Sequence, residues 1–522
     1  MKKLYYNGNL ITLEPGPAPE ALLSDGGSIA ALGSLADLRR LAPHAEPVDL
    51  GGKTLLPAFI DAHGHFSSYA NATLQVALEG CADFAEIAAR LAAFRAETGL
   101  PPGAWVVANG YDHNALAEHA HPDLAFLNHS MPENPLIMQH QSGHCGVLNS
   151  AALAALGITP ETPAPAGGMI GLADGALTGY LEESAYINAI KAVPMADLSA
   201  MLGAYRRAQS RYFARGISTV QEGMMVAQML PLYEALIAAG LLKLDLVGYA
   251  DMSSMAALRA ALPGSVGQYR QQFKIGGYKI ILDGSPQVKT AWMKTPYAGS
   301  TDCGYPSLTD AQVLGAVQTA AAEGTQILAH CNGDAAIDQF LSAVEQTPAA
   351  TRLRPVIIHA QLMTLPQLQR AAALHVIPSF FVAHVLHWGD IHAENFGPMR
   401  AQTISPARSA LDCKLPFTFH QDAPVIEPDM METIQCAVCR RTRAGLLLGA
   451  DQRISVLDAL RAVTINAAHQ YFEEDSKGSL KAGKHADFVI LERNPLRVPP
   501  EELSKIAITE TIKDGETVFC NN

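Results

Sequence analysis

At 522 residues, with 49% hydrophobic and 17% charged side chains, the chain can bury a large core and is too apolar to be disordered. A formal net charge of −13 with no sustained basic run argues against nucleic acid and anionic membrane surfaces as partners. No stretch approaches the roughly 20 apolar residues of a membrane span, and Met1–Ile11 lacks the apolar core of a leader, so a soluble cytoplasmic protein is expected.

Residues 1–53 carry short strand patterns at Leu4–Tyr6, Leu10–Leu13 and Ser28–Leu32, with a hairpin turn expected at Asn7-Gly8 and another turn at Gly51-Gly52. Residues 472–522 have the same character, with strands at Ala486–Leu491, Ile506–Ile512 and Glu516–Phe519 around a turn at Asp514-Gly515. Neither end supports a robust core alone, so the two are expected to pair into one β-sandwich module. Between them, residues 54–471 alternate apolar strands with alanine- and leucine-rich helical stretches, the pattern of βα units around a parallel sheet. The predicted strands are Thr54–Ile60, Ile217–Gln221, Leu242–Tyr249, Gly277–Leu282, Thr325–Ala329, Pro355–Ile358, Val376–Ser379 and Pro416–Phe419. Eight is the number that closes an α/β TIM-like (β/α)8 barrel. Residues from about 66 to 216 exceed any ordinary βα loop and contain a strand of their own, Pro135–Gln139, so they form an inserted α/β subdomain. The insert leaves from the C-terminal end of the first strand, the active-site face of a barrel, and is expected to roof the pocket.

His63 and His65 follow the apolar run Leu55–Ile60. Strand residues two apart share a face, so both imidazoles can hold one metal ion. Spacing alone proves little, because 18 histidines give roughly 0.6 His-x-His pairs by chance. His119-Ala120-His121 is such a pair, leading into Pro122 among polar residues, and is assigned to a loop. Other strand ends supply the rest. His330 follows Gln326–Ala329, His359 follows Val356–Ile358, and His420, Gln421 and Asp422 follow Phe417–Phe419; Lys279 lies inside an apolar strand, unlike Lys274 and Lys289. Polar groups at the C-terminal ends of separate barrel strands are where catalytic groups converge. The eight cysteines are scattered, which suits a reducing compartment, and Cys436 and Cys439 are read as structural. Arg440 and Arg443, ending a helix, are read as solvated or as offsetting its dipole.

These residues resemble the amidohydrolase superfamily of metal-dependent hydrolases, and more closely its amidohydrolase family 3 branch, which includes N-substituted formamide deformylase-like enzymes. Pro57–His65 is similar to the first-strand motif, and Gly167–Ile170 with Leu177–Glu182 to the branch's insert signature. Asp283-Gly284-Ser285 with Thr290-Ala291, Ala329–Asp334 and Gly478–Phe488 resemble the fourth-strand, fifth-strand and C-terminal motifs. The resemblance implies that His63, His65, Lys279, His330, His359 and Asp422 ligate one or two divalent metals, Zn or alternatively Mn, Fe or Co. It also implies a CO2-derived carbamate on Lys279. Carbamate formation needs a neutral amine, and a lysine of pKa about 10.4 is only about 0.1% neutral near pH 7.4, so burial has to lower it.

The chemistry so implied is hydrolysis of a carbon–nitrogen bond in an amide-like, N-acyl or N-formyl small molecule by a metal-activated hydroxide. Asp422 would serve as general base and then general acid. A lactonase or other esterase on the same metal site, a mononuclear deaminase with unmodified Lys279, and an inactive scaffolding relative are the alternatives. The branch usually has Gly-Ser-Asp before the eighth-strand aspartate, where this chain has His420-Gln421-Asp422; this departure bears on specificity. His384, Trp388 and His420 are expected near the pocket. In the insert, His144 is a catalytic candidate that would hydrogen-bond the substrate carbonyl, and Tyr111 and Asp112 would line the roof. A homodimer is the base-rate expectation for the assembly.

Overall fold

The computed structural model describes residues 1–194, 196–287 and 289–521. By internal contacts the chain divides into two compact units, residues 1–67 with 208–522, and residues 68–207.

The first unit is organised by an eight-stranded parallel sheet. Its strands are β1 (Phe59–Ile60), β2 (Ile217–Met225), β3 (Asp245–Ala250), β4 (Phe273–Ile281), β5 (Gln326–Cys331), β6 (Val356–His359), β7 (Ile377–Phe380) and β8 (Thr418–Phe419). Each pairs in parallel with the next, so the spatial order is the chain order. Strands such as Val356–His359 are buried along their whole length, because a parallel sheet with helical crossovers is covered on both faces. The sheet curls until its ends meet: Asp422 N–H donates to the His63 carbonyl at 3.1 Å and His65 N–H to the Ala423 carbonyl at 2.9 Å.

The helices begin where the sequence supplies caps. Thr309 and Gln312 form a capping box at the start of Asp310–Ala322, each side chain taking the other's backbone N–H. In Asp334–Glu345, Ile337, Phe340, Leu341 and Val344 repeat at three- and four-residue spacing and bury one face.

The two chain ends of this unit build two further sheets. One has four strands in the order Ser28–Gly33, Ala21–Asp25, Lys2–Tyr6, Glu46–Asp49; the other has five, in the order Asn9–Leu10, Thr54–Pro57, Phe488–Leu491, Ile508–Lys513, Glu516–Cys520. Tyr5, Leu22 and Ile29 from the first share an apolar cluster with Leu55, Phe488 and Ile512 from the second. The Asp514-Gly515 turn joins its two strands with positive φ at both residues, as a tight hairpin requires.

Two expectations are corrected. Asn7-Gly8 is not a hairpin turn: Lys2–Tyr6 and Asn9–Leu10 lie in different sheets. A Cβ on Gly8 would fall 2.6 Å from Leu50 Cβ, so the glycine admits a close crossing of chain segments instead. Thr54–Ile60 is not one strand either. Thr54–Pro57 pairs with Phe488–Leu491, and the chain changes partners at Ala58, whose N–H goes to Asp487 O while that of Phe59 goes to Gly216 O. Both halves are equally buried, so hydrophobicity could not mark the switch.

The second unit holds a six-stranded sheet in the order Gly168–Ala173, Ala176–Glu183, Cys145–Leu148, Leu136–His140, Val106–Tyr111, Val76–Ala77. Among the described residues no helix is long and apolar enough to cross a membrane.

Arg440 also departs from expectation. It is fully buried behind the helix Met430–Cys439, and its guanidinium donates to the carbonyls of Leu448 (2.8 Å), Ser405 (3.2 Å) and Ile404 (2.7 Å). It closes loop carbonyls that no secondary structure satisfies. Arg440→Met strips the Leu448 and Ile404 carbonyls of this donor, while Ser405 O keeps the Ala407 N–H at 2.8 Å, and unsatisfied buried acceptors cost about 1–3 kcal/mol each. The urea midpoint of the variant is expected to fall by the equivalent of about 3 kcal/mol or more; an unchanged midpoint would show that water or loop movement replaces the guanidinium.

Candidate metal centre

His63 and His65 continue β1, Lys279 lies within β4, His330 in β5 and His359 ends β6, while Asp422 follows β8. All six side chains come together at the C-terminal end of the curled sheet. Lys279 Nζ is 3.1 Å from His63 Nε2, Asp422 Oδ1 is 3.4 Å from His63 Nε2 and 3.5 Å from His65 Nε2, and Asp422 Oδ2 is 3.9 Å from His359 Nε2. His359 Nε2 lies 3.1 Å from His330 Nδ1. Ligand atoms of His63, His65 and Asp422 all fall within 4.8 Å of one another, close enough to share one ion. Lys274 also lies in β4, but at its other end, where it pairs with Glu473.

The surrounding groups fix which imidazole nitrogens carry protons. His63 Nδ1 meets Gln221 Oε1, whose amide is oriented by donation from Nε2 to the Ala62 carbonyl at 2.8 Å. His330 Nε2 lies 3.2 Å from the Gly284 carbonyl and 3.1 Å from Asn332 Nδ2, whose amide also donates to that carbonyl at 2.9 Å, so this nitrogen is turned away from the shared space. His359 Nδ1 is 3.2 Å from His420 Nε2, and His420 Nδ1 is 2.9 Å from Ser379 Oγ. His63 Nε2 is thereby left bare, and Nδ1 of His330 and Nε2 of His359 face the same shared space.

Electrostatics keep them bare. Burial holds His63 and His359 well below the ordinary imidazole range and brings His330 to about 3 and His65 to about 4, with the neighbouring Lys279 charge acting in the same direction on each. The Lys279 amine is itself pushed down to about 8 by burial, against the pull of Asp422. Roughly a fifth of it is then neutral near pH 7.4, in place of about 0.1% for a free lysine. Burial raises Asp422 to about 6 despite Lys279.

These residues fit a divalent cation. Asp422 Oδ1 is buried without a hydrogen-bond partner, and the His63 nitrogen 3.4 Å from it, the one turned away from Gln221, directs a lone pair rather than a proton toward it. A carboxylate oxygen facing unprotonated nitrogens is repulsive unless a cation lies between them. Two of the groups are held in left-handed backbone, His359 at φ +72° and Asp422 at φ +55°, a conformation that costs a side-chain-bearing residue about 1–2 kcal/mol. Such strain persists where surrounding structure over-determines it, commonly at functional sites.

His420 joins the centre through His359. His384 and Trp388 stand beside Phe381, with ring centroids 4.5 and 5.9 Å away, and Phe381 in turn lies 5.2 Å from His420, so these rings form an aromatic wall next to the ligands. The other three expected residues lie in the second unit. His144 is mostly exposed and pairs with Glu183 at 3.1 Å; Tyr111 is buried in that unit's own core with its hydroxyl 2.9 Å from His121 Nδ1; Asp112 accepts the Asn114 N–H at 3.0 Å.

Sequence reasoning passed over Gln221, Ser379 and Asp61. The first two are the last residues of predicted strands, the positions where polar groups were sought, but neither is a metal-ligand type. Asp61 takes backbone N–H groups of His63 (3.4 Å) and Gln421 (3.3 Å) on one oxygen, bracing β1 against the segment after β8.

Comparison with known proteins accords with this geometry. The model of the amidohydrolase family matches residues 46–519. The N-substituted formamide deformylase of Arthrobacter pascens is 29% identical over 98% of this chain and 96% of its own length, and YtcJ of Bacillus subtilis is 26% identical over 99% of each. The crystal structure of an uncharacterized metal-dependent hydrolase from Pyrococcus furiosus superposes with a TM-score of 0.74 at 24% identity, covering 95% of this chain and all of that one, a likeness of fold. The chain belongs to the amidohydrolase family and is a metal-dependent hydrolase of carbon–nitrogen bonds other than peptide bonds.

Proposed function

We propose that this enzyme hydrolyses the amide bond of a small N-acyl or N-formyl compound, with His63, His65, Lys279, His330, His359 and Asp422 holding its divalent metal. The observation that carries the reading is the buried, unpartnered Asp422 oxygen 3.4 and 3.5 Å from the His63 and His65 imidazoles, with the His63 proton committed to Gln221. The deformylase of Arthrobacter pascens, similar along nearly the whole chain, favours an N-formyl or short N-acyl group over a lactone. Imidazole and carboxylate donors suit Zn as well as Mn, Fe or Co.

A divalent cation bound by these groups supplies a water acidified toward pKa about 7 and polarises the scissile carbonyl. The protein's own side chains do the remaining work. Asp422, brought near neutrality by burial, accepts the proton released when water attacks the carbonyl carbon and delivers it to the departing nitrogen, which leaves as a neutral amine. The neutral fraction of Lys279 can add to CO2, forming an N–C bond and releasing one proton, which would turn a buried cation into an anionic group able to help hold the metal. Gln221 holds the His63 tautomer, and the Ser379–His420 pair does the same for His359, so the ligand lone pairs are aimed before any cation arrives. Phe381, His384 and Trp388 form the apolar side of the pocket, suited to the organic part of the substrate.

Three outcomes follow. Dialysis against a chelator abolishes turnover and Zn, Mn or Co restores it; on a panel of N-formyl, N-acetyl and longer N-acyl amines with lactones as controls, the amides are turned over faster, and a preference for lactones would replace this reading with an esterase. Asp422→Asn lowers kcat about 10²–10⁴-fold, the usual contribution of general acid–base catalysis, and near wild-type turnover would remove Asp422 from the role. Gln221→Leu weakens metal affinity about 10–100-fold in a chelator competition, with secondary structure by circular dichroism unchanged.

A further inference from the structure

In the second unit, strands Leu136–His140 and Val106–Tyr111 run parallel and adjacent, with His140 opposite Tyr111. Asp112 and His113 follow directly, so three metal-ligand types emerge at neighbouring strand ends. His113 Nδ1 is 3.1 Å from His140 Nε2, Asp112 Oδ1 is 3.6 Å from the same nitrogen, and the three ligand atoms all lie within 4.8 Å of one another. Donors about 2.0–2.2 Å from a tetrahedral ion stand about 3.3–3.6 Å apart, which is the scale of this triangle.

We infer that Asp112, His113 and His140 form a second divalent-cation site, separate from the centre in the curled sheet and contained within residues 68–207. A hydrogen bond between the two imidazoles explains only one side of the triangle. It leaves the Asp112 oxygen at 3.6 Å, beyond hydrogen-bond reach of a nitrogen whose one proton would already be spent. A cation satisfies all three donors together. Ser142 holds the other side of the His140 ring, with its Oγ 2.9 Å from Nδ1 and its backbone N–H 3.2 Å from the same nitrogen, which orients Nε2 toward His113 and Asp112. Asn114 N–H, donating to Asp112 Oδ1 at 3.0 Å, orients the carboxylate. His121, from the His-x-His pair of the loop, stacks on His113 with centroids 4.1 Å apart and is held by the Tyr111 hydroxyl, which fixes the His113 ring plane.

Two nitrogens and one oxygen are a donor set for Zn²⁺, Co²⁺ or Ni²⁺ rather than for Mg²⁺ or Ca²⁺, which prefer oxygen. Three protein ligands leave a fourth position for water or an anionic oxygen of a ligand.

The test uses the full-length protein. Crystals grown without added metal and soaked in ZnCl2 are measured above and below the zinc absorption edge. The expected result is an anomalous peak about 2.0–2.2 Å from Asp112 Oδ1, His113 Nδ1 and His140 Nε2. This peak is judged on its own, whatever is found among His63, His65 and Asp422, so failure of either site is read separately. In solution, zinc per chain after equilibrium dialysis falls by one in Asp112→Asn/His140→Gln relative to wild type. Because that variant could misfold, His113→Ala is assayed beside it, each with its melting curve, and a lowered zinc count in folded protein supports the site. No peak in wild-type crystals, or equal zinc counts in wild type and folded variants, overturns it.

Discussion

The rest of this molecule depends on how its curled sheet closes. Two backbone hydrogen bonds, from Asp422 N–H to His63 O and from His65 N–H to Ala423 O, join the segment after the first strand to the segment after the eighth. Residues 359 positions apart in sequence, His63 and Asp422, thereby meet at 3.4 Å with little freedom to separate. Burial then does chemical work. It holds the imidazoles neutral, lowers the lysine and raises the carboxylate, so the rings keep their lone pairs, the lysine loses part of its charge and the carboxylate becomes a stronger proton acceptor.

Holding such groups in a dry space is unfavourable unless their protons and lone pairs are assigned, and the supporting residues make that assignment. Gln221, the Gly284 carbonyl and the Ser379–His420 pair each take one imidazole's outward nitrogen. Asp61 and the left-handed backbone at His359 and Asp422 set directions that ordinary strand geometry would not give. His420 places an imidazole behind His359 and an aromatic surface continuous with Phe381.

The two units use one structural device twice. Adjacent parallel strands end side by side, and residues just past their ends converge, whether around the curled sheet or at Tyr111 and His140. In the first unit the groups come from distant strands and are mostly buried, with His65 and His330 part-exposed. In the second they come from two neighbouring strands and are partly open, which suits an exchangeable ion more than a locked one.

Much of this was readable without coordinates. Eight apolar segments at βα spacing, the His63/His65 pair, and a polar residue after each of several strands follow from local chemistry, because strand alternation and burial leave marks in composition. The family resemblance rested on the same residues. What stayed hidden involves partners rather than types. Thr54–Pro57 and Phe59–Ile60 are alike in hydrophobicity, yet they belong to different sheets. Arg440 has the composition of a solvated helix end, yet it fills a nest of carbonyls. His121 looked like part of a chance pair and packs against two other histidines. The sequence by itself determined which residues are apolar, which can ligate, and roughly where strands stop, since each of these is a property of a residue and its near neighbours. Only the tertiary structure decided which lone pairs face one another and which charges are lost, because those depend on groups hundreds of positions away sharing a volume without water.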